Sequence, residues 1–232
     1  MREYLLKGME KANIAIENLN IDKLEGYLNH LKKVNSVTNL TAIRDDEEII
    51  EKHFIDSLLL TKVFPMDAEN AIDIGTGAGF PGMILAIAMP HVKFTLTDSI
   101  EKKTSFLREV KELLELDNVE VITARSEELI KEGKRESYDV GLCRGVAELR
   151  IILEYVIPFI KENGIFLSQK MSEDEIEGAE NAFKILNSKI NKVHKFNLPY
   201  SNDNRVVIEI QKTAKTDEKY PRRAGIAVKR PL

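Results

Sequence analysis

Two periodicities of apolar residues divide the chain into an amino-terminal helical part and a longer part of mixed structure. Between residues 24 and 34, apolar residues recur at intervals of three and four, which places them on one face of a helix. Residues 47–64 repeat this pattern, and a polar connector rich in turn-forming residues separates the two stretches at 35–41. We therefore predict a helical extension over residues 1–64.

From about residue 70 the pattern changes to short apolar runs separated by amphipathic stretches. The runs predict seven strands, at residues 71–74, 92–97, 119–123, 138–143, 165–169, 193–198 and 205–211. The stretches between them predict helices at 81–89, 101–114, 149–160 and 174–189. Such alternation favours a doubly wound, mainly parallel α/β sheet covered on both faces, and the short turn before the last strand favours an antiparallel edge strand. The predicted domain is Rossmann-like and covers residues 65–211.

Composition narrows the class of protein. With 232 residues, 43% of them apolar and 31% charged, the chain suits a soluble α/β domain with an extension. No apolar run approaches the roughly 18–20 residues of a membrane span, and the amino terminus lacks the features of a signal peptide. The single cysteine, Cys143, excludes an intrachain disulfide, so we expect a cytoplasmic protein.

Charge is unevenly distributed along the chain. The net charge of −4 argues against a general nucleic-acid binder, but residues 212–232 hold seven basic and only two acidic side chains. This predicts a basic tail after the domain. The tail either contacts phosphates locally or is solvated and mobile, and charge alone does not separate these alternatives.

The most informative segment is the run at residues 73–82, which holds four of the twelve glycines. It lies between a predicted strand and a predicted helix, where an open α/β sheet binds its ligand. Glycine lets the backbone turn tightly and leaves room for a ligand, so Gly75 and Gly77 are candidate contacts. The alternative is a glycine-rich turn without a ligand.

Two classes of cofactor compete for this loop. A dinucleotide site prefers the spacing G-x-G-x-x-G, which places a pyrophosphate on the helix N-terminus. Here the spacing is G-x-G-x-G, and Asp73 precedes the first glycine by two residues. S-adenosylmethionine carries a sulfonium and an ammonium and has no phosphate, so an acid at this position suits it and would repel a pyrophosphate. The loop therefore favours S-adenosylmethionine over a nicotinamide dinucleotide.

The ends of two further strands supply candidate contacts to the nucleoside. Asp98 ends the second strand, where a carboxylate can accept hydrogen bonds from ribose hydroxyls. The alternative role of Asp98 is to cap the following helix. Ser126 and Glu127 follow the third strand, where we expect the adenine, and Ser126 is also a candidate helix cap.

Four runs of the sequence, in their order and spacing, resemble those of a known family. They are residues 39–45 (NLTAIRD), 52–58 (KHFIDSL), 73–82 (DIGTGAGFPG) and 222–225 (RRAG). From about Leu31 onwards the chain resembles the bacterial small-subunit ribosomal RNA guanine-N7 methyltransferases, also called glucose-inhibited division protein B. The resemblance implies a class I methyltransferase fold, S-adenosylmethionine as cofactor, and a guanine of 16S ribosomal RNA in the small ribosomal subunit as acceptor.

The same resemblance implies the cofactor-binding residues, which are Gly75, Phe80, Asp98, Ser126, Glu127 and Arg144. The chain departs from the family pattern at Val34, Gly145 and Met171, where Trp, Ala and Gly are usual.

The chemistry needs few catalytic groups. Guanine N7 has an exposed lone pair and no proton to lose, so no general base is needed, and catalysis would come mainly from alignment. Arg144, after the fourth strand, is predicted to hold the methionine carboxylate or the RNA, with an ion pair to Glu148 or Glu154 as the alternative. Lys170, after the fifth strand, is predicted to contact a phosphate or guanine O6, or else to be solvated.

Several other polar residues complete the predictions. His53 and Asp56 share a helix face and are candidates for the border of the acceptor pocket, although a packed histidine is the alternative. The histidines show no metal-ligand spacing. RNA contacts are predicted for Lys32, Lys33, Arg44, Arg222, Arg223, Lys229 and Arg230.

We expect the protein to be a monomer. Two rival functions stay open, which are a NAD-dependent oxidoreductase and a non-catalytic RNA-binding protein that retains the glycine-rich loop.

Overall fold

A seven-stranded sheet forms the centre of the computed structural model, which describes residues 1–17 and 19–232. Its strands are β1 (Asn70–Ile74), β2 (Lys93–Asp98), β3 (Val119–Thr123), β4 (Tyr138–Arg144), β5 (Ile160–Lys170), β6 (Ser188–Asn197) and β7 (Asn204–Lys212). They lie in the order β3-β2-β1-β4-β5-β7-β6. Strands β1 to β5 are parallel, and β7 runs antiparallel to both β5 and β6. The predicted sheet is confirmed, and its antiparallel edge is the β6–β7 hairpin.

Helices flank the sheet and precede it. They are α1 (Arg2–Lys11), α2 (Ile21–Thr38), α3 (Asp46–Ile49), α4 (Asp56–Leu58), α5 (Gly82–Ala88), α6 (Glu101–Leu113), α7 (Ser126–Leu129), α8 (Leu149–Val156), α9 (Glu180–Ile185) and α10 (Ile226–Lys229). A π-helical turn, Ile50–Ile55, joins α3 to α4, and a 3-10 turn, Leu59–Lys62, follows. Of the helices in the described ranges, none combines the length and the apolar character that a membrane crossing requires.

Two apolar clusters cover the two faces of the sheet. Because successive side chains of a strand point to opposite faces, Ala71 belongs to one cluster and Ile72 to the other. The first cluster also contains the buried residues of α1, α2, α5 and α6, and the second contains those of α8 and α9. The interior of β1 is buried on both faces, as its uninterrupted apolar pattern predicts.

The helical extension packs into the first of these clusters. Asn20 begins α2, and its side chain accepts a hydrogen bond from the N–H of Lys23. The predicted face of α2 is confirmed, because Leu24, Tyr27, Leu28 and Leu31 are buried and Val34 is half-buried. This packing places α2 against α5 and α6, beside the glycine-rich loop.

Two predicted helices are shorter in the structure. The helix predicted at 149–160 ends at Val156, because Pro158 cannot donate the hydrogen bond that a continuing helix needs. The helix predicted at 174–189 is reduced to α9 and a preceding 3-10 turn. Asn187 adopts a left-handed conformation with φ of 52°, and Ser188 already pairs with Lys212 of β7. Strand pairing therefore overrides the helical pattern there.

The carboxyl-terminal segment packs against the body of the protein. Lys212 is fully buried at the end of β7, and its Nζ lies 2.8 Å from Oε1 of Glu136. Arg222 forms a bidentate pair with Glu154, whose side chain is only 1% exposed. The guanidinium of Arg222 is thus bound to an internal carboxylate, and its predicted contact with RNA stays a prediction.

The pair of Arg222 and Glu154 makes a stability prediction. Arg222→Ala leaves Glu154 buried without its counter-charge, so we expect the free energy of unfolding to fall by about 2 kcal/mol. Arg223 is exposed and has no ion pair within the described ranges, so Arg223→Ala removes the same charge at a cost below about 0.5 kcal/mol. Urea unfolding of both variants checks this, and equal losses would contradict the assignment.

Candidate functional site

Two adjoining cavities open at the edge where the carboxyl ends of the parallel strands meet. The larger has a volume of about 700 Å³ and the smaller about 340 Å³. Gly145 and Val146, directly after β4, line both. A ligand in one cavity would therefore lie next to a ligand in the other, which is the arrangement that group transfer requires.

The smaller cavity is lined by residues from the ends of β1, β2 and β3, from the segments and helices that follow β2 and β3, and from α8. They are Ile74, Gly75, Thr97, Asp98, Ser99, Ile100, Lys103, Ala124, Arg125, Ser126, Glu127 and Tyr155, besides the two shared residues. Four of the predicted cofactor residues (Gly75, Asp98, Ser126 and Glu127) are thus together in one cavity.

The glycine-rich loop uses its glycines for different purposes. Gly75 has φ of +72°, and a Cβ on it would lie 2.5 Å from Cγ2 of Val146. Gly77 also has a positive φ, but no atom of the described residues lies within 4 Å of where its Cβ would be. Gly79 and Gly82 instead allow close packing, since a Cβ would meet Tyr27 or Leu96. The loop therefore approaches Val146 closely at Gly75, presents open backbone at Gly77, and is fixed by packing in its second half.

Asp73 lies buried beneath this loop and organises it. Its Oδ2 accepts hydrogen bonds from the hydroxyl of Thr76 at 2.7 Å and from the N–H of Gly82 at 2.9 Å. Its Oδ1 is buried and has no partner among the residues described. Burial raises the pKa of Asp73 from 3.8 to about 6, so the carboxylate is mostly ionised at neutral pH. The loop consequently has an uncompensated negative charge, which suits a cationic ligand.

Asp98 connects the end of β2 to the loop. Its Oδ2 accepts from the N–H of Gly77 at 3.1 Å and lies 3.3 Å from Nζ of Lys103. Its Oδ1 accepts from the N–H of Ile100, which is itself the N-cap residue of α6. Asp98 therefore does not occupy the cap position. It lines the smaller cavity, and the contact to a ribose stays a prediction.

Ser126 and Glu127 form the far wall of the same cavity. The hydroxyl of Ser126 donates to the carbonyl oxygen of Tyr155 at 2.6 Å, which ties α7 to α8. Arg125, not Ser126, is the N-cap residue of α7, so the expected cap is not formed. Glu127 is 8% exposed and lines the cavity.

The structure does not bring Gly77 and Phe80 to the cavity walls. Gly77 supports Asp98 through its backbone, and the ring of Phe80 is buried. That ring stacks on the imidazole of His53, with centroids 4.4 Å apart, and lies 5.4 Å below the guanidinium of Arg144. Phe80 therefore supports polar groups of the larger cavity from below.

The larger cavity contains the two predicted catalytic residues. It is lined by Ile43, Lys52, His53, Asp56, Arg144, Ala147, Gln169, Lys170, Met171, Ser172, Glu175, Asp203 and Arg205, besides the shared Gly145 and Val146. These residues come from the π-helical turn, from the ends of β4 and β5, and from the start of β7.

Arg144 is held by three groups of the π-helical turn and α4. Its Nη1 donates to Oδ2 of Asp56 at 2.8 Å and to the carbonyl oxygen of Lys52 at 3.2 Å, and its Nη2 lies 3.2 Å from Nδ1 of His53. The predicted alternative, a surface pair with Glu148 or Glu154, is wrong. Those residues pair with arginines elsewhere.

Asp56 is the hub of this network and is 3% exposed. Besides Arg144, its Oδ1 lies 3.2 Å from Nε of Arg205 and accepts from Nε2 of Gln169 at 3.1 Å. Two arginines thus compensate one buried carboxylate, which makes the ion network rigid and leaves some guanidinium N–H groups for a ligand.

His53 is neutral in this setting. Burial and the neighbouring Arg144 and Arg205 lower its pKa to about 3. Nδ1 of His53 lies 3.2 Å from Nη2 of Arg144 and 3.1 Å from the carbonyl oxygen of Lys52, and Nε2 lies 2.9 Å from the hydroxyl of Thr41. His53 therefore orients Arg144 and is not a cation itself.

Lys170 is held at the mouth of the same cavity. Its Nζ donates to the carbonyl oxygen of Ala147 and to Oε2 of Glu175, each at 2.7 Å. The N–H of Leu149, at the start of α8, donates to the same carboxylate oxygen. The alternative of a solvated lysine is wrong, since its side chain is 10% exposed.

Cys143 and the histidines were also considered as possible nucleophile and metal ligands. Cys143 is buried next to Arg144, and burial raises the pKa of its thiol far above the usual range, so it is a packing residue as expected. Within residues 1–17 and 19–232, no group of three or more His, Cys, Asp and Glu residues is placed to hold a metal ion.

Gln169, Arg205 and Tyr155 are among the cavity residues that the sequence predictions do not contain. Gln169 directly precedes Lys170 at the end of β5, and Arg205 is the second residue of the neighbouring strand β7. Tyr155 lies inside an amphipathic helix. For Gln169 and Arg205, the position at the end of a predicted strand was a sequence feature that could have identified them as site residues. For Tyr155, the sequence contained no such feature.

Comparisons with known proteins match this arrangement to one family. The GidB family model, described as rRNA small subunit methyltransferase G, matches residues 20–205. A protein of Fusobacterium nucleatum named ribosomal RNA small subunit methyltransferase G is 58% identical over 100% of both chains. A protein of the same name from Acetivibrio thermocellus is 43% identical over 100% of this chain and 97% of its own.

Solved structures share the fold at low sequence identity. An O-methyltransferase from Bacillus cereus in complex with SAH superposes with a TM-score of 0.57 at 16% identity, covering 91% of this chain and 99% of that one. A SAM-dependent methyltransferase from Aquifex aeolicus gives a TM-score of 0.57 at 15% identity, covering 76% and 98%. The doubly wound sheet is therefore the class I methyltransferase fold.

Proposed function

Because the chain belongs to the GidB family of small-subunit ribosomal RNA methyltransferases, we propose that it methylates N7 of a guanine in 16S ribosomal RNA. The methyl donor is S-adenosylmethionine, bound in the smaller cavity, and the guanine enters the larger one. We further propose that the protein acts as a monomer in the cytoplasm.

The observation that carries the proposal is the unpartnered Oδ1 of Asp73 beneath a loop of open backbone. A buried carboxylate without a counter-ion favours a cation, and it would oppose the pyrophosphate of a dinucleotide. Asp98 and Glu127 supply further carboxylates to the wall, with Asp98 placed for the ribose hydroxyls and the backbone near Ser126 for the adenine. The residues present therefore fit S-adenosylmethionine.

S-adenosylmethionine supplies an electrophilic methyl group when it is bound. The residues of the chain contribute alignment and electrostatics. Arg144, fixed by Asp56 and His53 at the boundary of the cavities, holds a carboxylate of the cofactor or a phosphate of the RNA through its remaining N–H donors. Lys170 orients the acceptor through O6 or a phosphate.

No side chain of the site has to remove a proton. His53 has a pKa of about 3, and Asp56 is occupied by two arginines. This agrees with N7, which carries no proton to lose. As N7 gains positive charge, the carboxylates of Glu175 and Asp203 in the cavity wall stabilise it.

A calorimetric titration tests the cofactor assignment. We expect S-adenosylmethionine to bind with one site per chain and NAD to give no heat, because the loop carries negative charge. Binding of NAD in preference to S-adenosylmethionine would overturn the proposal and favour an oxidoreductase. Binding of neither would favour a non-catalytic RNA-binding protein.

A further inference from the structure

Gln169, the penultimate residue of β5, lies in the wall of the larger cavity and is 3% exposed. It is paired in register with Arg144 of β4, so the two side chains lie next to each other on the sheet. Its Nε2 donates to the carbonyl oxygen of Asp56 at 2.7 Å and to Oδ1 of Asp56 at 3.1 Å. A reversed amide would place its oxygen against these two acceptors, so the orientation of the amide is fixed.

The other end of this amide is unsatisfied. Oε1 of Gln169 is buried and has no hydrogen-bond partner within the described part of the chain. Leaving a buried acceptor without a donor costs free energy, and such groups in folded proteins call for a specific explanation. Since Gln169 lines the cavity, a donor from the substrate is the partner that the structure calls for.

The neighbours of Gln169 show why this acceptor is distinctive. Arg144, Lys170 and Arg205 are donors and are committed to carboxylates. Gln169 contributes a neutral acceptor beside them. Of the two purines, guanine presents two adjacent donors on its Watson–Crick edge, at N1–H and the 2-amino group, whereas adenine has an acceptor at N1 and its only donor at the 6-amino group, where guanine has O6. An acceptor aligned with N1 or with the 2-amino group therefore finds a donor in guanine and none in adenine.

We propose that Oε1 of Gln169 accepts a hydrogen bond from the Watson–Crick edge of the target guanine and thereby selects guanine over adenine. This inference rests on the proposed function and adds the residue that sets base specificity. It also agrees with the chemistry, because N7 lies on the opposite edge of the base. Contact at the tip of β5 therefore leaves N7 free to face the boundary at Gly145 and Val146, beyond which the cofactor cavity lies.

The test combines protein variants with nucleobase analogues. The wild-type protein first locates the methylated guanosine in 16S ribosomal RNA, and RNAs are then assembled with guanosine, inosine or 1-methylguanosine at that position. Inosine lacks the 2-amino group, and 1-methylguanosine lacks N1–H. Gln169→Leu removes the acceptor. Gln211→Leu is the matched control, because Gln211 lies on β7 beside the far end of β5.

We expect the wild-type protein and Gln211→Leu to lose about tenfold or more in kcat/KM on at least one analogue relative to guanosine. Gln169→Leu should be slower on guanosine and should no longer distinguish that analogue from it. If Gln169→Leu is slower but keeps the full wild-type discrimination, the residue only supports Asp56 and the proposal is overturned.

A wild-type protein that treats all three bases alike would also overturn the proposal. Absence of any methylation by the wild-type protein is a separate result, because it rejects the proposed function itself.

Discussion

Arg144→Ala should lower kcat/KM for RNA methylation by about 10²- to 10⁴-fold, because it removes the charged group at the boundary of the two cavities. It also leaves Asp56 buried with Arg205 as its remaining cation, so the free energy of unfolding should fall by about 2–3 kcal/mol. Arg144→Lys keeps the charge but cannot donate in one plane to Asp56, His53 and the carbonyl oxygen of Lys52. It should therefore recover stability in part and activity only weakly.

Methyl-transfer kinetics and urea unfolding of these variants measure both effects. Arg150→Ala is the control, since Arg150 has an exposed ion pair with Glu148 on α8 and should change neither quantity appreciably. Wild-type kcat/KM in Arg144→Ala would show that this residue only holds Asp56 in place.

Asp73→Asn should change stability and cofactor affinity in opposite directions. Burial raises the pKa of Asp73 from 3.8 to about 6, so the stability that Asp73 contributes is complete below pH 3.8 and is lost as the pH rises through 6. Above pH 7 the ionised carboxylate costs about 3 kcal/mol, and the amide removes this cost while weakening the bonds to Thr76 and Gly82. We therefore expect a net gain of about 1 kcal/mol for the unliganded protein.

The same change removes the negative charge that favours a cationic ligand. Affinity for S-adenosylmethionine should fall about 10- to 100-fold at pH 7.5. In the wild-type protein, affinity should also decline as the pH falls below about 6, and Asp73→Asn should abolish that dependence. Calorimetry and unfolding across this pH range provide the measurement.

Asp139→Asn is a matched control at the opposite end of the sheet. Asp139 accepts from the N–H of Glu69 and from Lys161, which together hold the pKa of its carboxyl below the usual range. Its replacement should lower stability and leave cofactor affinity unchanged. Undiminished affinity in Asp73→Asn would mean that the buried charge does not take part in binding.

Much of the fold follows from local patterns. The apolar run of β1 indicates a buried strand, and the glycines after it indicate a tight turn. Both features depend on residues that are close together in the chain. They therefore predict the strand–loop–helix unit that forms the cofactor cavity. The errors in the predicted secondary structure arise where pairing between distant segments of the chain determines the conformation. The helical pattern extends to Lys189, yet Ser188 and Lys189 pair with β7 and belong to strand β6.

The acceptor side of the site was less accessible to prediction. The partner of Arg144 is Asp56, which lies 88 residues earlier, and both Gln169 and Arg205 reach Asp56 from other elements. A sequence identifies each as a polar residue near a strand or helix end, but only the folded chain shows that they meet. Phe80 is a different case, since the family resemblance implied a ligand contact for it, and its ring is buried and stacked on His53.

The basic carboxyl-terminal segment shows the limit of counting charges. Seven basic residues predicted a tail available to phosphates, but Lys212 is buried beside Glu136, and Arg222 is occupied by Glu154. Charge composition does not reveal which cations are already paired inside the fold. Arg223, Lys229 and Arg230 are exposed and stay candidates for RNA contact.

The central claim is methyl transfer from S-adenosylmethionine to guanine N7, and one labelling experiment tests it most directly. The purified protein is incubated with methyl-labelled S-adenosylmethionine and with small ribosomal subunits from cells that lack it, and the labelled 16S RNA is digested to nucleosides. We predict that the label is recovered as 7-methylguanosine from a single position. Label on another atom or base, or no label in the RNA, would contradict the claim.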